Sequence, residues 1–331
     1  MSGRRAPRPS GVITLLTDFG LVDAYVGVVK GVLLGINPRA RLVDLTHAVP
    51  AQDVRRASLL LEGAWQFFPP GSVHLAVVDP GVGSARRPIA VAAGGHCFVG
   101  PDNGLLGFCF DLPGARGVVL RARRFHRHPV SRTFHGRDVF APVAAHCSRG
   151  VGLAALGPPL RDPVRLPSVT PRRRGPRVDG EVLLVDRFGN LLTNLLGADL
   201  PGPADCGVLR VGGARVRGLV GTYAERPRGA LGAVIDSSGR VEVFVREGSA
   251  RRRLGIGPGA RVSWTTSTPA LAPRRRSSSM SSRSSSTRWS SSSSSTRTSR
   301  VRPRSRSSRT PSPSSAPRRG SRSRTSRRPS G

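Results

Sequence analysis

Apolar residues follow two different spacings along this chain, and the change from one to the other divides it. Val12–Leu16 is a short apolar run stopping at Thr17-Asp18, the pattern of a buried strand. From Ala24 to Ile36 the spacing is helical (Tyr25, Val28, Val29, Val32, Leu33, Ile36), and Asn37-Pro38 ends it. Leu42–Leu45 reads as a second strand, and Asp53 is placed to cap a helix over Val54–Phe68 that stops at Pro69-Pro70-Gly71. Val73–Val78 is a third strand; Ile89–Ala93 and Cys97–Val99 follow, with Gly94-Gly95 as a hairpin-type turn between them. Asp138–Arg149 reads as a helix that begins beside His135. Strands alternating with helices predict an α/β domain with a central, largely parallel sheet.

After the Arg- and Pro-rich stretch Thr170–Arg177, which reads as a linker, the helical spacing is gone. Strands are expected at Glu181–Asp186, Val208–Val211, Ala230–Ile235, Val241–Val245 and Ala260–Trp264. Turn signals separate them, among them Arg187-Phe188-Gly189-Asn190, Gly212-Gly213 and Ser237-Ser238-Gly239. Short strands punctuated in this way predict a small all-β barrel. The expected organisation is a flexible N-terminus over 1–11, an α/β domain over 12–170, a linker at 171–177, a barrel over 178–268 and a disordered tail over 269–331.

Composition separates the tail from the rest. Leu271–Gly331 holds 17 Arg, no Lys and no acid, in a background of Ser, Pro and Thr. Such a segment buries too little apolar surface to offset its ordering entropy. Removing those 17 charges from the chain's +34 leaves +17 for residues 1–270, so the folded part is basic as well. The tail reads either as a segment with affinity for polyanions, in the manner of RNA-binding Arg/Ser runs, or as an out-of-frame translation of a GC-rich gene. In both readings its affinity for polyanions is non-specific. Cys97, Cys109, Cys147 and Cys206 lack C-x-x-C spacing and are expected as isolated buried thiols with no metal site. Met1–Gly11 is basic without an apolar run of signal-peptide type, and the apolar stretches fall short of the ~18 residues of a membrane span. A soluble, cytoplasmic protein is expected.

The candidate chemistry lies at strand ends. Asp79 follows the apolar run Val73–Val78, and a glycine turn, Pro80-Gly81-Val82-Gly83, leads on to Arg86 and Arg87. The carboxyl ends of strands in open α/β sheets form the crevice where ligands bind. An acid, a guanidinium and a histidine converging there, Asp79, Arg86 and His135, can hold and polarise one small molecule such as water. Each also has an ordinary use: a turn cap, a surface ion pair, a helix start. Gly81-Val82-Gly83 is a phosphate loop only superficially, since neither G-x-x-x-x-G-K-[ST] nor G-x-G-x-x-G occurs there. His47 is expected as a structural hydrogen-bonding residue, and His74, His96, His126, His128 and His146 have no metal-like spacing.

Six segments in order carry a family resemblance: Thr17-Asp18-Phe19-Gly20-Leu21-Val22-Asp23-Ala24-Tyr25-Val26-Gly27, Asp44-Leu45-Thr46-His47, Val77 to Arg87, Gly100-Pro101-Asp102-Asn103-Gly104, Phe134-His135-Gly136-Arg137-Asp138, and Val185 to Asn194. Together, over about Val12 to Trp264, they resemble the S-adenosylmethionine hydroxide adenosyltransferases, relatives of the fluorinating and chlorinating enzymes that use the same substrate. The resemblance implies that Asp79, Arg86 and His135 form a triad that activates water to attack C5′ of S-adenosylmethionine, giving adenosine and L-methionine. It implies Asp18 at the ribose hydroxyls, Asp23 and Asp186 near the methionine ammonium, Phe188 packing nearby and Asn190 hydrogen-bonding. It places Ser237 in the adenine-side wall. Read from the residues alone, Asp186 serves equally as a turn residue in Asp-Arg-Phe-Gly-Asn. The chain has Asp236 where the family commonly has Asn, and Arg246-Glu247-Gly248-Ser249 where a loop of small residues is usual.

The resemblance further implies a homotrimer with sites between subunits, S-adenosylmethionine and water as substrates, and no cofactor or metal. Two rival readings are a halogenase of the same lineage and a nucleic-acid-binding protein acting through the tail. Against the first stand the carboxylate of Asp79, which repels a halide, and the direct Gly94-Gly95-His96 connection where halogenases carry an insertion. Against the second, the folded region lacks the aromatic-plus-basic strand motifs of RNA-recognition sheets.

Overall fold

The computed structural model describes residues 8–168 and 170–266. The Arg/Ser segment and the disorder expected of it lie outside the described residues. The first sheet contains β1 (Val12–Thr17), β2 (Arg41–Thr46), β3 (Val73–Val77), β4 (Pro88–Ala93), β5 (His96–Pro101) and β6 (Arg116–Val119), in the order β2-β1-β3-β5-β4-β6. Strand β1 runs parallel to β2 and β3, and β3 parallel to β5, but β4 is antiparallel to both β5 and β6. The sheet is therefore mixed, which corrects the expectation of a largely parallel one. The reason is local. A two-residue Gly94-Gly95 turn, both residues at positive φ, can join only antiparallel neighbours, and it commits the β4–β5–β6 half.

Three helices cover this sheet: α1 (Tyr25–Ile36), α2 (Val54–Ala64) and α3 (Ala141–Ser148). Side chains along β3 alternate between two cores. Val73, Leu75 and Val77 pack with Val29 and Leu33 of α1 and with α3; Ala76, followed by Val78 beyond the strand, packs with Ala57 and Leu61 of α2. Asp53 caps α2 as its position suggests, accepting from Arg56 N at 2.9 Å. The helix ends earlier than Phe68 and passes into one 3₁₀ turn, Trp65–Phe67.

The second half is antiparallel throughout. Its strands are β7 (Arg172–Arg174), β8 (Arg177–Val185), β9 (Leu191–Leu196), β10 (Gly207–Val211), β11 (Ala214–Arg217), β12 (Leu231–Ile235), β13 (Arg240–Val245) and β14 (Arg261–Thr266), with a short helix α4 (Ala250–Leu254) before the last. Their order is β11-β10-β14-β8-β9-β13-β12, and β7 adds to β8. A bridge between Val220 and Val234 brings the chain leaving β11 onto β12, so the sheet is barrel-like and nearly closed. Trp264 is fully buried at its centre among Val178, Val182, Leu195, Leu209 and Val243. Gly207 is required there, because a Cβ at that position would overlap the Trp264 ring. Strand β7 forms inside the stretch read as a linker: the Gly175-Pro176 turn folds Arg172–Arg174 back along β8.

A polar chain is sealed in the α/β core. Thr14 Oγ1 lies 2.8 Å from His74 Nδ1, and His74 Nε2 lies 3.1 Å from His96 Nδ1. The His74 ring stacks on Phe98 at 4.8 Å. Burial, with the neighbouring His96, pushes the His74 pKa down to about 3. All four cysteines are free thiols, but two are not isolated: a hydrogen bond with Cys147, together with burial, raises the Cys97 thiol. Cys206 is exposed, against the expectation of burial. No helix among the described residues is long and apolar enough to cross a membrane.

Candidate active site

Because β1 and β3 are parallel and in register from Ile13↔Val73 to Thr17↔Val77, the residues that follow them, Asp18 and Asp79, leave the same edge of the sheet. Asp79 meets Arg86 across the glycine turn. Arg86 Nε donates to Asp79 Oδ1 at 2.8 Å and to Oδ2 at 3.0 Å, and Arg86 Nη2 also donates to Oδ2. The side chains are only 6% and 9% exposed, so the fork is held in a weakly screened environment. Nη2 donates onward to His135 Nδ1 at 2.7 Å, and the guanidinium lies over the Phe140 ring at 5.1 Å. The remaining nitrogen, Nη1, is buried and has no hydrogen-bond partner among the described residues. An unsatisfied buried donor on a charged group is costly, and it marks where an acceptor belongs.

His135 precedes a wide π-type turn, Gly136–Phe140, that runs into α3. Turns of this kind concentrate at functional sites. Burial and the Arg86 charge hold the His135 pKa below its ordinary value, against the opposing pull of Asp79 and Asp138. The ring is neutral, and since a guanidinium can only donate, Nδ1 is the acceptor and Nε2 carries the proton.

The aromatic rings beside the triad link it to the Asp18 loop. Phe134 packs edge-on against Phe19 at 6.0 Å and Tyr25 at 5.3 Å. Asp18 Oδ2 accepts from Gln52 N at 2.9 Å, which anchors a non-glycine residue at φ +66°. Asp23 is exposed. His47 is the hydrogen-bonding residue expected, 2.8 Å from Thr17 Oγ1 and 3.0 Å from Asp44 Oδ1.

Asp186, Phe188 and Asn190 form the β8–β9 turn. Asp186 accepts from Asn190 N at 2.8 Å and from Asn190 Nδ2 at 3.2 Å, so it fills the turn role, and Phe188 projects 75% exposed. Ser237 is exposed in the β12–β13 turn, which Asp236 organises by accepting from Ser238 N and Arg240 N. Among the described residues no hydrogen bond, ion pair or ring contact joins the triad to Asp186, Phe188, Asn190 or Ser237. Sequence reasoning missed Phe140 and the buried Glu242, which accepts from Tyr223 Oη at 2.8 Å. Glu242 was detectable as the single charge within the apolar run Val241–Val245; burial, with Asp186 and Asp236 adding to it, raises its carboxyl. No group of three or more His, Cys, Asp or Glu among the described residues is placed to hold a metal ion.

Residues 13–157 match the family model of the SAM hydroxide adenosyltransferase N-terminal domain, and residues 180–263 that of its C-terminal domain. The chain is 46% identical over 260 residues to an (R)-S-adenosyl-L-methionine hydrolase of Thermus thermophilus, covering 76% of this chain and 98% of that protein. It is 44% identical to one of Salinispora tropica, covering 77% and 97%. A fluorinase of Actinoplanes is 28% identical, covering 57% and 73%. Among solved structures, an uncharacterized conserved protein from Thermotoga maritima superposes with a TM-score of 0.72 at 37% identity, covering 76% of this chain and 99% of that one.

Proposed function

The chain belongs to the SAM hydroxide adenosyltransferase family, and on that footing we propose how it hydrolyses S-adenosyl-L-methionine to adenosine and L-methionine. Water held at Arg86 Nη1 loses a proton and attacks C5′ in line with the C5′–S bond. The O–C5′ bond forms, the C5′–S bond breaks, and its electron pair neutralises the sulfonium. Methionine leaves as a neutral thioether, so no acid is needed on the departing side.

The unpartnered Nη1 carries this reading. A lone guanidinium beside a sulfonium would repel it; paired with Asp79, Arg86 is neutralised yet keeps N–H groups for a developing hydroxide. His135 adds a second donor through Nε2–H, since its lone pair is taken by Arg86. Asp79, whose Oδ1 retains an acceptor position beyond its bond from Arg86, receives the proton. Fixing water and substrate in attack geometry removes a further part of the uncatalysed solution barrier, by up to ~7–11 kcal/mol.

Asp18 takes the ribose diol, Asp23 and Asp186 the ammonium, with Phe188 and Asn190 beside them and Ser237 on the adenine side. Asp186 keeps two free acceptor positions beyond its turn bonds. The loops bearing Asp23 and Asp186 also expose Leu21 (77%), Val22 (99%) and Phe188 (75%), apolar surface of the kind a neighbouring subunit covers. The proposal is a homotrimer in which each site joins the α/β half of one subunit to the barrel of the next. The Arg-rich tail adds only salt-sensitive affinity for polyanions.

Hydrolysis in oxygen-labelled water, with chloride present, tests the reaction. Label in the 5′-hydroxyl of adenosine is expected. Unlabelled adenosine, or a 5′-halogenated nucleoside, would overturn it.

A further inference from the structure

We propose that Asp138 is the positioning residue of this site: its buried carboxylate fixes the wide turn that delivers His135 to Arg86. The proposal rests on the role given to His135 above. Asp138 is fully buried. Its Oδ1 accepts from Arg137 Nε at 2.7 Å and from Arg127 Nη1 at 3.4 Å, and its Oδ2 accepts from Arg137 Nη2 at 2.7 Å and from Ser131 N at 2.9 Å. Its backbone carbonyl accepts from Arg127 N at 2.8 Å. One residue therefore closes the loop 127–131 onto the turn that follows it.

Two consequences reach the triad. First, the N–H groups of Arg137 and Asp138 both converge on the Phe134 carbonyl at 3.2 Å, closing a tight turn around His135 that leads into the wide turn Gly136–Phe140. His135 lies inside that tight turn, so its closure by Asp138 sets where Nδ1 points. Arg137, held by Asp138, also lies over the Phe134 ring at 5.2 Å and steadies the residue before His135. Second, the same loop supports the opposite member of the triad. Gly83, at φ +77°, packs so closely on the Arg132 carbonyl that a Cβ would overlap it, and Gly83 belongs to the turn that carries Arg86. Asp138 thus holds the loop that both halves of the Arg86–His135 hydrogen bond lean on.

The charge of Asp138 is part of the device. Burial alone would raise its carboxyl, but the Arg137 guanidinium, the Ser131 N–H and Arg127 together bring it below the ordinary value, so it stays ionised. A neutral amide of the same shape would keep one acceptor and lose the fork to Arg137.

The test is Asp138→Asn alone and combined with His135→Ala. Partners that orient metal-ligating histidines typically cost about 10- to 100-fold when changed, and the same scale is expected for a residue that orients His135. The expected single-variant result is a kcat lower by about that factor with KM within about threefold of wild type. In the His135→Ala background Asp138→Asn should change kcat by less than about twofold, because the interaction it serves is already gone. The same fold-loss in both backgrounds, or an undiminished kcat in the folded single variant, would overturn the proposal. If Asp138→Asn does not fold, Arg137→Gln, at a partly exposed position, is carried through the same cycle with the same expectations. A wild-type kcat in His135→Ala alone would overturn the assignment of His135 itself, an outcome separable from the others.

Discussion

Arg86 Nη2 donates to His135 Nδ1 at 2.7 Å, and this one bond decides what the imidazole can offer. With its lone pair committed, the ring presents Nε2–H and acts toward water as a donor. That leaves Asp79, not His135, as the group proposed to take the proton. The same bond, with Asp79 behind it, leaves Arg86 Nη1 as a second donor without a partner among the described residues.

Variants at these two positions separate donor from base. Arg86→Ala should lower kcat by roughly two to three powers of ten, the usual effect of removing a preorganised donor. His135→Ala, which removes the second donor, should cost roughly 10²–10³ as well, and His135→Gln, which can present an amide N–H, should recover part of it. KM should move little in all three, because these groups face the water. Steady-state kinetics on folded variants check this; equal losses in His135→Ala and His135→Gln would make His135 a base and not a donor.

The acid side of the pH profile follows from the same geometry. Burial and Arg86 hold His135 below its ordinary 6.5, so it is still neutral where a free imidazole would be half protonated. Protonation would place a cation against Arg86 and break the bond. Turnover should therefore persist below pH 6.5 and fall only at more acid values. An inflection in kcat at or above 6.5 would contradict this, once stability over the range is verified.

Much of this was legible in the residues, and the gaps have physical causes. The strand ends carrying Asp18 and Asp79 and the Asp53 cap could be read because apolar runs ending at polar residues report strand ends and helix starts directly. Strand direction could not: the run Ile89–Ala93 is apolar whichever way its neighbours point, and only the Gly94-Gly95 turn hinted that β4 and β5 are antiparallel. Strand β9 escaped notice because Leu191-Leu192-Thr193-Asn194-Leu195-Leu196 does not alternate, and β11 because four residues are too few for a pattern. The roles of Asp138 and Phe140 depend on a π-type turn, which leaves no periodicity of its own.

The buried pair His74–His96 makes stability depend on pH. His74 titrates near 3 in the fold and near 6.5 when exposed, so between those values the unfolded chain binds more protons. Stability is therefore fully present above about pH 6.5 and is lost progressively as pH falls toward 3, by a few kcal/mol at most. His74→Gln can still bond Thr14 but cannot titrate. Its unfolding free energy, measured by denaturant between pH 4 and 7, should be flatter than that of the wild type; parallel curves would remove His74 as the cause.

Subunit mixing tests whether each site is shared. Among the described residues no hydrogen bond, ion pair or ring contact within one chain joins Asp79, Arg86 and His135 to the barrel turn of Asp186 and Asn190, and that turn exposes the Phe188 ring. If a neighbouring subunit completes the site, Asp79→Ala and Asp186→Ala proteins, each inactive or nearly so, should complement when mixed. In a ring of head-to-tail interfaces, random 1:1 assembly gives about one intact site in four, those with Asp79 from one subunit and Asp186 from the next. Activity should thus recover to about a quarter of wild type in the whole mixture, and to about a third in mixed trimers isolated by differential tagging. Mixed trimers that stay at the background of the separate variants would mean that each chain builds its site alone, and Asp186 would then be left with its turn role only.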